Sequence, residues 1–339
     1  MKHLLILKNL YITVIIATIG LLSSCSRNET YDFQGDNINR VFIDNQISTN
    51  GSGYEVSNAS VMHTPVGDTS TVNLKLPVRC SHTAVSEIKV QLEMDTSLVA
   101  TYNKDHGTKY SAIKSGIVKL VSSVLTIPRG SQISSDSVTV SIPKNKLSLL
   151  TDSVYLLPLK IANVSGANDI AVSSNLKTYY IAISTSTTNI INGATLSNMS
   201  GSIATPRTGW TISSDAASMS GTSSQVFDGS TSTAWYNSSS SISSVTFTVD
   251  LTKVYTGISG FRLYFRYANY GYFAKTVLVS TSSDNSTWNS QGTANLTSTS
   301  SYNYICFYNA QNARYIKLTM RGWYSSSYKG LAEFDIYTK

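Results

Sequence analysis

Two stretches of this chain mix aromatic rings with arginine outside any alternating pattern. They are Arg266-Tyr267-Ala268-Asn269-Tyr270-Gly271-Tyr272-Phe273 and Arg321-Gly322-Trp323-Tyr324-Ser325-Ser326-Ser327-Tyr328. Tyr236-Asn237, directly after Trp235, offers a third wall. Aromatic rings stack on the apolar C–H faces of sugars, while planar amides and guanidiniums meet sugar hydroxyls. Arg266, Asn269, Tyr270, Tyr272, Trp323, Tyr324, Tyr236 and Asn237 are therefore the candidate glycan-contacting residues. The competing reading of the tyrosines is half-exposed strand positions, which favour Tyr in any β-sandwich.

No comparable constellation points to catalysis. The histidines are His3, His63, His82 and His106, all remote in sequence from these loops. The chain has no Gly-x-Ser-x-Gly elbow, phosphate loop, His-Glu-x-x-His or Cys-x-x-Cys. Asp95 and Asp105, near Tyr102, could be drawn as the carboxylate pair of a glycosidase. A solvated helical turn accounts for them more simply. The expectation is a binding protein, not an enzyme.

The third chemical feature is at the start. Lys2 and Lys8 precede an apolar run from Leu10 to Leu22, which ends Leu22-Ser23-Ser24-Cys25. The run is shorter than the ~20 apolar residues of a spanning helix and reads as a secretory leader. Its end resembles a bacterial lipobox: an aliphatic residue, two small ones, then a cysteine whose thiol takes the lipid. Cys25 is thus the expected lipidation site, and two or more acyl chains would anchor the protein to a membrane. Residues 26–40 then read as a tether. Its single early acid, Glu29, leaves the outer and periplasmic faces of the outer membrane both open, with the cell surface expected.

Composition sets the class. The 26 basic residues exceed the 19 acidic ones by seven, and loss of the leader removes two of them. Only 13% of residues are charged, against roughly 25% in ordinary globular proteins, so Ser, Thr, Asn and Tyr must make the surface polar. The basic residues are scattered along the chain, which excludes a nucleic-acid footprint. A hydrophobic content of 41% is enough for real cores and argues against disorder.

The elements that must position these residues are strands. Val72–Val78, Ile88–Met94 and Ser137–Ile142 alternate, whereas Val154–Ile161 is almost continuously apolar and should be central in a sheet. Asp95 can cap a short helical turn through Asn103. Cys80 shares the parity of Val72, Leu74, Leu76 and Val78 and reads as a small core residue. A disulfide to Cys306 stays open. The polar run at 185–193 reads as a linker between an immunoglobulin-like antiparallel sandwich over 41–184 and a second β domain over 194–339. In the latter, Phe261, Leu263 and Phe265 face one way and Arg262 and Tyr264 the other.

Two resemblances follow. Asp95…Leu98-Val99…Tyr102-Asn103, Leu125-Thr126-Ile127-Pro128-Arg129-Gly130 and Val154-Tyr155-Leu156-Leu157-Pro158-Leu159 resemble domain of unknown function 1735. That is an immunoglobulin-like domain of Bacteroides-type surface lipoproteins, and the likeness implies a spacer. Val226-Phe227-Asp228-Gly229-Ser230-Thr231-Ser232-Thr233-Ala234-Trp235 resembles the signature loop of the coagulation factor 5/8 type C (discoidin) family, which includes the family 32 carbohydrate-binding modules. Val249-Asp250-Leu251, Ser283-Asp284-Asn285-Ser286-Thr287-Trp288, Ala313-Arg314-Tyr315-Ile316-Lys317-Leu318 and Ala332-Glu333-Phe334-Asp335-Ile336-Tyr337 follow in the same order.

The second resemblance implies a jelly-roll sandwich of about eight strands, with Trp235 and Trp288 in its core. It also implies a structural calcium held by Asp228, Thr233 and Glu333, with Phe227, Ser230 and Ala332 as backbone donors. Ser230 stands where a carboxylate or amide is frequent in the family, which would weaken such a site. The alternative for Asp228 is a turn ordered by its own side chain. Together the readings imply a lipid-anchored cell-surface protein that captures glycan beside neighbouring uptake proteins. The rival is an adhesin or structural lipoprotein that binds a protein partner.

Overall fold

The strand Ile88–Met94 sets the pattern of the N-terminal sandwich: Ile88, Val90 and Leu92 are buried while Lys89, Gln91 and Glu93 between them are exposed. The computed structural model describes residues 38–43, 56–266, 273–297, 301–324 and 328–339. Cys25, Asn269, Tyr270 and Tyr272 lie outside the described residues.

One N-terminal sheet runs in the order Thr69–Ser70, Val56–His63, Thr178–Thr187, Val154–Ser165, Ile88–Met94 and Val124–Ile127. Two three-stranded sheets oppose it. One is Ile170–Val172, Asn39–Ile43 and Val78–Cys80; the other is Asn73–Leu76, Val138–Ser141 and Lys119–Val121. Pro77 falls between Asn73–Leu76 and Val78–Cys80, and it is there that the chain passes from one small sheet to the other. Proline has no N–H to give a ladder, so it suits such a break. The sandwich is not wholly antiparallel, because Val56–His63 pairs parallel to Thr178–Thr187 and Asn39–Ile43 parallel to Ile170–Val172.

Val154–Ser165 lies centrally, between Thr178–Thr187 and Ile88–Met94. Its apolar run has a cause: both faces are covered. Leu157 and Leu159 enter the main core, while Leu156 and Ala182 pack under Val99 and Tyr102 of the helix Leu98–His106. Ser97 occupies the helix N-cap, and Asp95 orders the approach by accepting the Ser97 N–H at 3.1 Å. Cys80 is 3% exposed and Cys306 2%, and each carries a free thiol.

The C-terminal sandwich rests on two long bent strands, Ser244–Tyr264 of 21 residues and Asn303–Arg321 of 19. Residues 244–250 pair with Thr211–Ser214 and with 315–321, which in turn pairs with Thr276–Ser282; Asn289–Asn295 closes that sheet. Residues 258–264 pair instead with Glu333–Thr338 and the start of Asn303–Arg321. Register shifts between Asp250 and Gly260 turn the strand from one layer into the other. Gly260 permits the crossing, because a Cβ there would run into the Ile305 carbonyl. Phe261, Leu263 and Phe265 are buried and Arg262 and Tyr264 half-buried, as the alternation requires.

The polar run between the sandwiches is not a slack connection. Strand Thr178–Thr187 stays paired through Thr187, and Ile190 already belongs to the second core.

Candidate functional site

The strand register gathers the candidate loops at one end of the C-terminal sandwich. Ser244 and Thr276 both pair with Arg321, and Tyr264 pairs with Glu333. The segments that leave these positions therefore emerge side by side.

Among the described candidates Tyr324 is the most open aromatic, at 59% exposed. Its ring stacks on buried Phe273 with centroids 4.6 Å apart, and the Lys275 ammonium lies 4.2 Å from the ring centre. The Tyr324 N–H donates to the Phe273 carbonyl, and the Lys275 N–H to the Arg321 carbonyl, so two loops brace each other. A ring held this firmly loses little entropy when a flat ligand covers it. Tyr236 stacks on Tyr328 at 4.0 Å, both half-buried, in a second aromatic wall. Arg266 lies half-buried where the strand Ser244–Tyr264 gives way to its loop.

Two candidates have structural tasks instead. Asn237 is 2% exposed; its Nδ2 donates to the Ala217 carbonyl at 2.6 Å and its Oδ1 accepts the Ser239 N–H at 2.7 Å. Its amide is spent inside the protein and is not open to a sugar. Trp323 is half-buried against the core, edge-on to Phe265 at 6.3 Å, and its indole N–H is out of water without an acceptor among the described residues. It is a supporting wall, not an open platform. The sequence offered no means of ranking Trp323 below Tyr324, since both follow Gly322.

The other tryptophans divide. Trp235 packs against the core beside Phe247 at 5.8 Å. Trp288, expected in the core, is half-buried outside it under the Lys317 ammonium, 3.7 Å from the ring centre. Trp210 is the one buried at 6% exposure, edge-on to Phe227 and Tyr255.

Sequence reading missed three features of this end. Lys275 braces Tyr324, and Lys329, 1% exposed, donates to the Ser239 carbonyl at 2.6 Å. Burial pushes the Lys329 amine below its usual range. The third feature is a groove of about 360 Å³ between residues 191–195 on one side and 294–297 and 301–304 on the other, which carries Tyr302, Tyr304, Asn192 and Asn295. The Arg262 guanidinium lies 3.9 Å over the Tyr302 ring and fixes that wall. These two walls are far apart in sequence, and only the fold joins them.

The expected calcium donors do come together, yet they do not fit the ion. Asp228 Oδ1 accepts the Ser230 N–H at 2.8 Å, and its Oδ2 accepts the Thr233 hydroxyl at 2.8 Å. That hydroxyl also faces the Ser230 carbonyl at 3.0 Å. Glu333 Oε1 takes the Gly229 N–H and Oε2 takes Arg207 Nη1, both at 2.7 Å. All four carboxylate oxygens thus face hydrogen-bond donors, whereas calcium needs six to eight oxygens turned toward it. Phe227 and Ala332 pack into the domain beside the loop. Asp228 has the alternative task, an Asx turn. Burial raises the Glu333 carboxyl above the usual range, with the facing Asp228 carboxylate adding to it, against the pull of Arg207 and of the Gly229 N–H.

Comparison with known proteins agrees with this architecture. An N-terminal-domain family model matches residues 38–168, and the F5/8 type C domain model matches residues 210–334. The chain finds no match among curated proteins. Among solved structures it is similar to a two-domain protein with unknown function from Bacteroides fragilis NCTC 9343. That match has 17% identity and a TM-score of 0.58, over 88% of this chain and 94% of that one. It is also similar to the family 32 carbohydrate-binding module of Clostridium perfringens NanJ in complex with galactose, at 18% identity and TM-score 0.35, over 39% of this chain and 96% of that one. The C-terminal domain of a Bacteroides fragilis chitobiase aligns at 21% identity and TM-score 0.34, over 39% and 95%. Residues 210–334, within the C-terminal sandwich, are what this chain shares with the F5/8 type C domain model.

Proposed function

We propose that this is a lipid-anchored, cell-surface glycan-binding protein that captures carbohydrate without transforming it. One observation carries the reading: the exposed Tyr324 ring, backed by Phe273 and flanked by Lys275, at the loop-bearing end of an F5/8 type C domain. A braced aromatic beside a cation and half-buried Arg266 matches a sugar, which offers a C–H face to the ring and hydroxyls to the cations. The Tyr236–Tyr328 pair and the groove at Tyr302 extend the same chemistry along that end. A single site of this kind binds weakly, and many copies on one membrane gain by avidity. The lipobox-like Leu22-Ser23-Ser24-Cys25 supports the anchor, and the N-terminal sandwich would hold the binding end away from the bilayer. Neighbouring uptake proteins would receive the captured glycan.

The test is a glycan array probed with the soluble chain from Ser26 onward, multimerised for avidity. Binding confined to one sugar class, and lost in Tyr324→Ala, is the expected result. Silence across a broad array would overturn the reading in favour of a protein partner.

A further inference from the structure

Glu333 and Asp335 are nearly withdrawn from water, at 1% and 2% exposed, on the strand beneath the Asp228–Trp235 loop. Ionised carboxylates in such a place require a counter-charge. Arg207 Nη1 reaches both, 2.7 Å from Glu333 Oε2 and 2.8 Å from Asp335 Oδ1. Arg262 completes the line, with Nε 2.8 Å from Asp335 Oδ2. The remaining Glu333 oxygen takes the Gly229 N–H and so fastens the loop to the strand. The Arg207 guanidinium also covers Gly229: a Cβ at that residue would lie 3.5 Å from Nη2.

We infer that Arg207 serves as the built-in cation of this loop, so that the domain is locked by a guanidinium where its resemblance implies calcium. Charge supports this as well as geometry. Asp228, Glu333 and Asp335 set three carboxylates against Arg207 and Arg262, which balances them to within one charge. A divalent ion added to the cluster would tip it positive and meet a guanidinium already on Glu333. A calcium-locked loop loosens when the ion is removed, whereas a loop locked by Arg207 keeps its shape in calcium-poor surroundings. The inference holds whatever ligand the open end binds.

The experiment is thermal melting of the soluble chain from Ser26 onward, in chelator and in excess calcium, for the natural chain and for Arg207→Met. The natural chain should melt at the same temperature in both, and terbium, read through Trp210 emission transfer, should not bind this domain. Arg207→Met should melt roughly 5–10 °C lower, because it leaves two buried carboxylates short of a partner. A chelator-induced drop in the natural chain, or saturable terbium luminescence, would overturn the inference. So would an Arg207→Met chain that melts with the natural one. If Arg207→Met does not fold, the two measurements on the natural chain still decide whether calcium has a place here, and Arg207→Lys, which keeps the charge, should recover folding.

Discussion

Asn189 Nδ2 donates to Gln291 Oε1 at 2.8 Å, so the second residue beyond the paired strands of the N-terminal sandwich is anchored inside the C-terminal one. The same amide group donates to the Asn309 carbonyl and its oxygen accepts the Asn309 N–H, each at 2.8 Å. Thr188, just before it, donates its N–H to the His63 carbonyl of the first sandwich and its hydroxyl to the Gln291 carbonyl of the second. The polar residues of this run are therefore the fittings of a joint.

This joint should resist proteases. Asn189→Ala would strand the Asn309 N–H and the Gln291 amide oxygen, at a cost of about 2–4 kcal/mol. Limited proteolysis is expected to leave residues 185–193 intact in the natural chain and to cut there in the variant. Equal cleavage of both would show that the joint is loose.

Tyr324→Ala should separate binding from stability. Removing a largely exposed ring should change stability by less than about 1 kcal/mol. Loss of a central aromatic contact should weaken glycan binding by about 2 kcal/mol, roughly thirtyfold in Kd. Titration by calorimetry together with a melting curve reads both.

Trp323→Ala should behave in the opposite way. Its ring supports Phe265 and the core, so truncation should lower stability by about 2–3 kcal/mol. Any loss of glycan retention would then follow from the displaced loop. A variant that melts normally yet fails to bind would return Trp323 to the contact surface.

Acid should weaken the C-terminal sandwich through Asp250. The Arg314 guanidinium, at 2.8 Å and 2.9 Å from its two oxygens, holds this carboxyl below the usual range, with help from the Thr252 N–H. A carboxyl whose folded pKa is depressed contributes stability that is complete above its unfolded value. That contribution fades as pH falls below about 4. Melting temperatures of the natural chain and of Asp250→Asn should differ at neutral pH and converge as the pH is lowered. A gap that stays constant would assign the loss to other groups.

Cys25→Ala should release the protein from membranes. Metabolic labelling with an alkyne fatty acid is expected to mark the natural protein and not the variant, and fractionation should find the variant soluble. A labelled variant would disprove lipidation at this residue.

Much of this molecule is written in local patterns. Period-two alternation in Ile88–Met94 and Phe261–Phe265 specifies strands and their buried faces, because adjacent side chains on a strand point to opposite sides. The unbroken apolar run at Val154 announces a strand covered on both faces, and the helix over Leu156 is what covers it. The ordered motifs from Asp228 to Tyr337 carry the likeness to the F5/8 type C domain model for a similar reason, since they sit at turns and strand ends.

What sequence spacing could not convey was which donors each side chain would meet. Asn237 and Tyr236 are neighbours in the chain, yet one is sealed by the Ala217 carbonyl and the other stacks on Tyr328, 92 positions away. Arg207 lies 126 residues from Glu333 and belongs to no motif that announces it, so their pairing emerges only when the sheets close. Local chemistry determined the strands and their buried faces. The tertiary structure decided which polar groups are consumed inside the protein, because hydrogen bonds and buried charges are settled between segments that only the packed sandwich brings within 3 Å.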